Sequence, residues 1–298
     1  MTQTVFIDDI LSLTRTLPRE RPLVHMIPNG VSAAFCADVM SAAGARPIMA
    51  SSPLEAAEIT SHAAALAANM GQPSEEKEKA LFASLSAAAE QGLPAVFDPV
   101  GAGASEYRRC TAQKLVAIPW TGIIKGNAAE LHTLLTGSLV HQGVDSAGFS
   151  AEALALPTNG LLYGPADRVI AVTGSVDRIL CRRQTDSDPA HILEARLVHA
   201  EKNPYTIVGT GCAAGALCAC FAAVTDDRFL AALTALSLSA FAQSQAADCF
   251  ARASASKSPS MGYGTFKELV LNAFSEGDCS VFQNWLEQHL IIITGETT

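Results

Sequence analysis

The run Pro94-Ala95-Val96-Phe97-Asp98-Pro99-Val100-Gly101-Ala102-Gly103 decides the fold class. Its first four residues read as a short strand, which stops at an aspartate and a glycine loop. The pattern recurs downstream. Gly122-Ile123-Ile124 ends in Lys125-Gly126-Asn127, and Val169-Ile170-Ala171-Val172 ends in Thr173-Gly174, with helical stretches between. Strands alternating with helices pair in parallel through crossovers. Ligands of such sheets collect at the carboxyl ends of the strands, where Asp98, Lys125 and Thr173 stand. The expected class is α/β in three layers, a mostly parallel central sheet with helices on both faces. No repeat or linker divides the chain, so residues 1–298 are expected to form one domain.

Upstream the same alternation holds. Residues 1–20 read as an amphipathic helix, with Ile7, Ile10, Leu11 and Leu13 near helical spacing and Pro18 after its end. Leu23–Ile27 is a strand closed by the turn signal Pro28-Asn29-Gly30. A helix over Ser32–Ala43, a strand Pro47–Ala50, a helix Glu55–His62, a strand Ala63–Ala68 and a helix Ser74–Gln91 follow. The run Glu75-Glu76-Lys77-Glu78-Lys79 is most simply a solvated helix face. Ile179–Arg183 and Arg196–Ala200 suit a hairpin, and the remainder reads as largely helical to about Leu290. The segment Ala151–Pro165 is irregular, broken by Pro157, Asn159, Gly160 and Pro165.

The strongest local signal is Ile207-Val208-Gly209-Thr210-Gly211-Cys212, continued by Ala213-Ala214-Gly215-Ala216-Leu217. It reads as an extended entry, a glycine turn, and a helix of small residues. Glycines let the backbone approach a ligand closely, and the first N–H groups of the helix favour an anion in that turn. A cysteine there is expected to have its thiolate favoured.

Bulk composition narrows the function classes. Of 298 residues, 49% are hydrophobic and 16% charged, the net charge is −9, and no basic cluster stands out. Nucleic-acid binding is disfavoured. The eight cysteines contain no C-x-x-C pair, which argues against structural zinc and against a secreted disulfide framework and suits a reducing, cytoplasmic setting. The stretches Ile207–Val224 and Leu230–Ala247 are uncharged but diluted with Ala, Gly, Ser, Cys, Thr or Gln, so buried core helices are expected rather than membrane spans.

Each candidate residue has a plain reading beside a chemical one. Asp98 caps its own turn or faces a magnesium ion among phosphates. Asn127-Ala128-Ala129-Glu130 has the spacing of a capping box, yet Lys125 just before it suits phosphate. Asn29 is by default a turn former, and Met26 and Met49 fill core gaps. Thr173 ends a strand or aims a hydroxyl at a nucleotide phosphate.

The order of these motifs is distinctive. His25-x-x-Pro28-Asn29-x-Val31-Ser32, Gly44-Ala45-Arg46-Pro47-Ile48-Met49-Ala50, Asp98 to Ala104, Gly126-Asn127-Ala128-Ala129-Glu130, Val172-Thr173-Gly174-x-x-Asp177 and Gly209-Thr210-Gly211-Cys212 follow one another. Together they closely resemble the hydroxyethylthiazole kinases, thiamin-salvage enzymes of the ribokinase-like superfamily, from about residue 20 to Asn272. The resemblance implies ATP- and Mg²⁺-dependent phosphorylation of the hydroxyl of 4-methyl-5-(2-hydroxyethyl)thiazole. It implies thiazole-side positions at Asn29, Val31, Met49 and Gly209. It implies ATP-phosphate positions at Lys125, Thr173, Gly209, Thr210 and Gly211, and magnesium-side positions at Asp98 and Glu130. Cys212 falls where most ribokinase-like relatives carry a catalytic aspartate. A thiol is a weak base towards an alcohol, so it suits orienting the hydroxyl more than deprotonating it. The resemblance also implies a homotrimer with active sites between subunits.

Three positions depart from the family pattern: Lys125 replaces the usual arginine before Gly-Asn, Val208 a threonine, and Ala34 an asparagine. A lysine keeps the charge but loses bidentate phosphate geometry. Two readings compete with the thiazole kinase: a sister kinase acting on hydroxymethylpyrimidine or another small alcohol, and a degraded kinase retained as a binding protein. A nicotinamide enzyme, suggested by Gly209-x-Gly211-x-x-Ala214, needs a second strand and an acidic residue about 20 positions on, whereas Asp226 and Asp227 lead into Arg228–Ala232, which reads as helix.

Overall fold

A computed structural model describes residues 3–138, 168–185, 188–198, 203–255, 262–275 and 279–294. The irregular segment Ala151–Pro165 lies outside the described residues. The elements run α1 (Gln3–Glu20), β1 (Leu23–Ile27), α2 (Ala33–Ala42), β2 (Arg46–Met49), α3 (Ala56–His62), β3 (Ala65–Asn69), α4 (Glu75–Gln91) and β4 (Ala95–Asp98). Then come α5 (Glu106–Ala117), β5 (Gly122–Asn127), α6 (Ala128–Thr136), β6 (Arg168–Thr173), β7 (Val176–Thr185) and β8 (Asp188–Val198). The C-terminal part adds α7 (Thr210–Ala222), α8 (Arg228–Ala255), α9 (Tyr263–Ser275), α10 (Cys279–His289) and β9 (Leu290–Thr294).

Among the described residues nine strands form one sheet, ordered β2-β1-β3-β4-β5-β6-β7-β8-β9. The strands from β2 to β6 are mutually parallel, and β7, β8 and β9 are added antiparallel. The order turns back at β1: β2 lies on one side of it and β3 on the other. Crevices open at such reversals, beyond the carboxyl ends of the strands.

Period-2 alternation loads both faces of the sheet. Met26, Ala67, Val96 and Ile123 enter one core with α1, α2 and the helices after residue 209, while Ile27, Leu66, Phe97 and Ile124 enter another with α4, α5 and α6. A strand buried on both faces reads as a near-continuous apolar run, which is why these short strands were legible. In α7 every residue from Ala213 to Ala222 is buried. That burial accounts for the uncharged stretch; among the described residues, no helix is long and apolar enough to cross a membrane.

Four expectations need correction. Helix α1 runs through Pro18 to Glu20 instead of stopping before it. Proline removes one hydrogen bond near the helix end, and there the ring packs on Gly44, whose added Cβ would lie 2.5 Å from Pro18 Cα. The hairpin strands are longer than read. A C-terminal strand, Leu290–Thr294, was missed because its apolar run follows directly on a helix; it pairs with β8, Leu290 opposite Leu197.

Lys77 is the fourth correction. Its side chain is buried rather than solvated, because it shares the inward helix face of Ala80, Leu81, Ser84 and Ala88.

Candidate active site

The site begins where β4 and β5 end side by side. Asp98 closes β4 and Lys125 lies within β5, and both side chains are nearly excluded from solvent. Lys125 Nζ stands 3.6 Å from Asp98 Oδ2. Asn69, opposite Asp98 at the end of β3, donates its amide to the same oxygen at 3.2 Å. Oδ1 of Asp98 is buried with no hydrogen-bond partner. The aspartate therefore does not cap its own turn. Burial pushes its pKa up, with Lys125 opposing the rise.

Glu130 forms the capping box of its plain reading. Oε2 accepts from Asn127 N–H at 2.8 Å while Asn127 Oδ1 accepts from Glu130 N–H at 2.9 Å, a complete capping box. Oε1 reaches back across the loop to accept from Gly101 N–H at 2.8 Å. This carboxylate is buried and its pKa is raised by that burial, against the pull of Lys125. For Lys125, burial acts to lower the pKa, but the carboxylates of Asp98 and Glu130 outweigh it and hold the ammonium protonated.

Above this group lies the start of α7. Gly209 caps the helix with φ +96°, and a Cβ there would come within 2.6 Å of Ser32 Cβ. Gly211 and Gly215, one turn apart on the same face, leave room for the charged pair. A Cβ at 211 would sit 3.3 Å from Lys125 Nζ, and one at 215 would sit 3.3 Å from Asp98 Oδ2. First-turn N–H groups have no intrahelical acceptor, so the helix start presents donors over a buried ammonium.

Cys212 lines a small recess with Met26, Asn69, Asp98 and Gly215. The expectation of a favoured thiolate is overturned: burial raises the thiol pKa, and the nearby Asp98 charge raises it further, outweighing Ser32, Lys125 and Asn69. A helix start lowers a thiol pKa only when carboxylate and desolvation do not oppose it.

On the far side of Gly211 a cleft of about 410 Å³ is lined by Thr173, Gly174, Asp177, Thr210, Gly211 and Gln243, among others. That volume lies within the range of small-ligand pockets. Asp177 Oδ1 accepts from Gly174 N–H at 2.9 Å and shapes its floor.

The acceptor-side candidates stand apart from this cleft, around β1. Asn29 follows β1, its Oδ1 accepting from Val31 N–H at 3.1 Å, the local turn of its plain reading. Val31 is exposed, and Met49, half-buried at the end of β2, is paired with Met26. Asp98, Glu130, Lys125, Gly211 and Cys212 are thus brought together, Thr173 and Thr210 share the adjoining cleft, and Asn29, Val31 and Met49 occupy the neighbouring strand ends.

Sequence reading missed Asn69 and Lys77. Asn69 lies one residue past the strand read as Ala63–Ala68, and Lys77 was hidden in a charge run.

The donor set suits a hydrated magnesium ion. Two raised carboxylates and the orphaned Asp98 Oδ1 are oxygen ligands of the kind hard cations take. Among the described residues no group of three His, Cys, Asp or Glu gathers to form an all-protein metal site.

Comparison with known proteins bears on the whole arrangement. Pyridoxal kinase from Staphylococcus aureus has the same layered sheet, with a TM-score of 0.54 at 12% identity, over 75% of this chain and 87% of that one, a likeness of fold alone. The chain is thus an α/β protein of that layered fold, with a buried lysine and carboxylates beneath a glycine-started helix. The Hydroxyethylthiazole kinase family profile matches residues 14–276. Hydroxyethylthiazole kinase from Methanoculleus marisnigri is 36% identical over 236 residues, 78% of this chain and 80% of that protein. The enzyme of the same name from Clostridium beijerinckii is 32% identical over 269 residues, 89% of this chain and 91% of that one. The structure of the Pyrococcus horikoshii hydroxyethylthiazole kinase protein aligns with a TM-score of 0.75 at 25% identity, over 96% and 99% of the two chains. The chain belongs to the hydroxyethylthiazole kinase family.

Proposed function

We propose that this chain transfers the γ-phosphoryl group of ATP to the hydroxyl of 4-methyl-5-(2-hydroxyethyl)thiazole, as one catalytic domain over residues 1–298. The observation that carries the reading is the buried Lys125–Asp98 pair beneath Gly211 and Gly215, at the mouth of the Thr173–Gln243 cleft. Phosphoryl transfer needs positioning and charge neutralisation more than covalent work by the protein. The nucleotide lies in that cleft, with Thr173 and Thr210 hydroxyls and the amides of Gly209 to Cys212 towards its phosphates. Lys125 neutralises charge from below.

Asp98 and Glu130 would hold the magnesium ion, which when bound neutralises phosphate charge. The acceptor enters from the side of Asn29, Val31, Met49 and Gly209. Cys212 orients its hydroxyl as a neutral thiol; the raised pKa leaves little thiolate to serve as a base. Assembly as a homotrimer belongs to the same proposal. Exposed Val31 and Leu54, at the ends of β1 and β2, offer apolar surface for a neighbouring subunit to cover.

Phosphate transfer from ATP to the thiazole alcohol by purified protein tests this reading. Hydroxymethylpyrimidine, the acceptor of the sister-kinase alternative, serves as the comparison. Light scattering in solution tests the trimer, and a monomer with full activity would remove that part.

A further inference from the structure

We propose that Lys77 is a positioning residue for the acceptor: its ammonium ties the loop after β1 to the loop after β3 across the point where the sheet order reverses. The side chain is buried, and Nζ donates to Pro28 O at 2.6 Å and to Gly71 O. Pro28 precedes Asn29 in the chain. Gly71 abuts it in space, since a Cβ at 71 would fall 2.5 Å from Asn29 Nδ2. Both carbonyls held by Lys77 therefore frame the same asparagine.

The bonds continue inward. Gly71 N–H donates to Asn69 Oδ1 at 2.9 Å, and Asn69 Nδ2 donates to Asp98 Oδ2, the oxygen that faces Lys125. One lysine of α4 thus joins the acceptor loop to the carboxylate and lysine of the phosphate side.

An apolar residue would satisfy this helix face, whose neighbours are Ala80, Leu81 and Ser84. A buried ammonium is costly unless fully bonded, and here it is retained where two loops meet. Burial draws its pKa down to about 8, with Arg108 acting in the same direction and Cys212 and Asp98 opposing. Those two opposing groups place the ammonium within electrostatic reach of Cys212 and Asp98.

The inference rests on reading the Asn29 loop as the acceptor side. Initial rates are measured for wild type, Lys77→Met and Lys77→Arg, varying the thiazole alcohol and ATP separately. Lys77→Met should raise KM for the alcohol roughly tenfold or more, the scale of a lost charge-assisted bond, while KM for ATP stays within about twofold. Lys77→Arg, which keeps charge and donors, should recover most of that loss. An unchanged alcohol KM, or an equal rise in both constants, overturns the proposal. If Lys77→Met does not fold, Lys77→Gln gives the same comparison. Failure of both to fold while Lys77→Arg keeps wild-type constants makes the lysine purely structural and also overturns it. A wild type inactive on the thiazole overturns the acceptor reading itself, a failure separable from an active wild type indifferent to residue 77.

Discussion

The ammonium of Lys125 stands 3.6 Å from Oδ2 of Asp98 at the ends of adjacent parallel strands, both side chains almost wholly buried. A buried pair of this kind is strongly destabilising to break, by about 3–5 kcal/mol, because the partner keeps an uncompensated charge. Lys125→Met should therefore lower the melting temperature as well as activity. Loss of one positioned donor to developing charge costs roughly 100- to 1000-fold in turnover. Lys125→Met with near-normal turnover would remove the lysine from the phosphate site.

Asp98 ionises less readily in the fold than in the unfolded chain, its pKa rising from 3.8 to about 7 through burial, against Lys125. A raised carboxylate pKa means the folded state binds more protons between those values, so its contribution to stability is full below the lower value and is lost as pH rises through the upper one. Melting of the ligand-free protein should lose this contribution between about pH 4 and 7, and Asp98→Asn should lack that slope. Magnesium should stabilise the wild type more at pH 8 than at pH 5 and should act weakly on Asp98→Asn. Equal stabilisation of both proteins at both pH values would count against Asp98 as a ligand.

Cys212 should behave as an unactivated thiol. Burial first and Asp98 second disfavour its thiolate, so alkylation by iodoacetamide at pH 7.5, followed on the Cys212 peptide, should be slower than for a free cysteine, whose reference pKa is about 8.5. Asp98→Asn should speed it. Cys212→Asp should keep or gain turnover, since a carboxylate can accept the hydroxyl proton, whereas Cys212→Ala, which removes the orienting group, should lose it. A Cys212→Ala enzyme with normal turnover would make the cysteine dispensable, and alkylation faster than the free thiol would contradict its protonated state.

The glycines of α7 should separate stability from function. Gly209 has φ +96° and an added Cβ would lie 2.6 Å from Ser32 Cβ, so Gly209→Ala should be strained in two ways and lower the melting temperature. At Gly215, alanine improves helix propensity by about 1 kcal/mol but presses on Asp98 Oδ2 at 3.3 Å. Gly215→Ala should melt near the wild-type temperature with reduced turnover. A Gly215→Ala protein as active as wild type would show that Asp98 has room to move.

Much of this was legible in the chain because doubly buried parallel strands leave short apolar runs that end in functional residues. Asp98, Lys125 and Thr173 could be placed at strand ends before any coordinates, and the Asn127–Glu130 spacing announced its capping box. Lys77 was not legible, since the charges around it are solvated and only the inward helix face separates it from Lys79. Pro18 and β9 escaped because tertiary partners, Gly44 and β8, decide their conformation. The cysteine's protonation depended on its burial first and then on a carboxylate more than 100 positions away, at Asp98. Local sequence carries no sign of such a neighbour.

The most direct test is ATP- and magnesium-dependent phosphorylation of hydroxyethylthiazole by the purified chain, run beside hydroxymethylpyrimidine. The account predicts turnover of the thiazole alcohol, lost in Asp98→Asn and Lys125→Met. Phosphorylation of the pyrimidine alone, or ATP binding with no transfer to either alcohol, would contradict it.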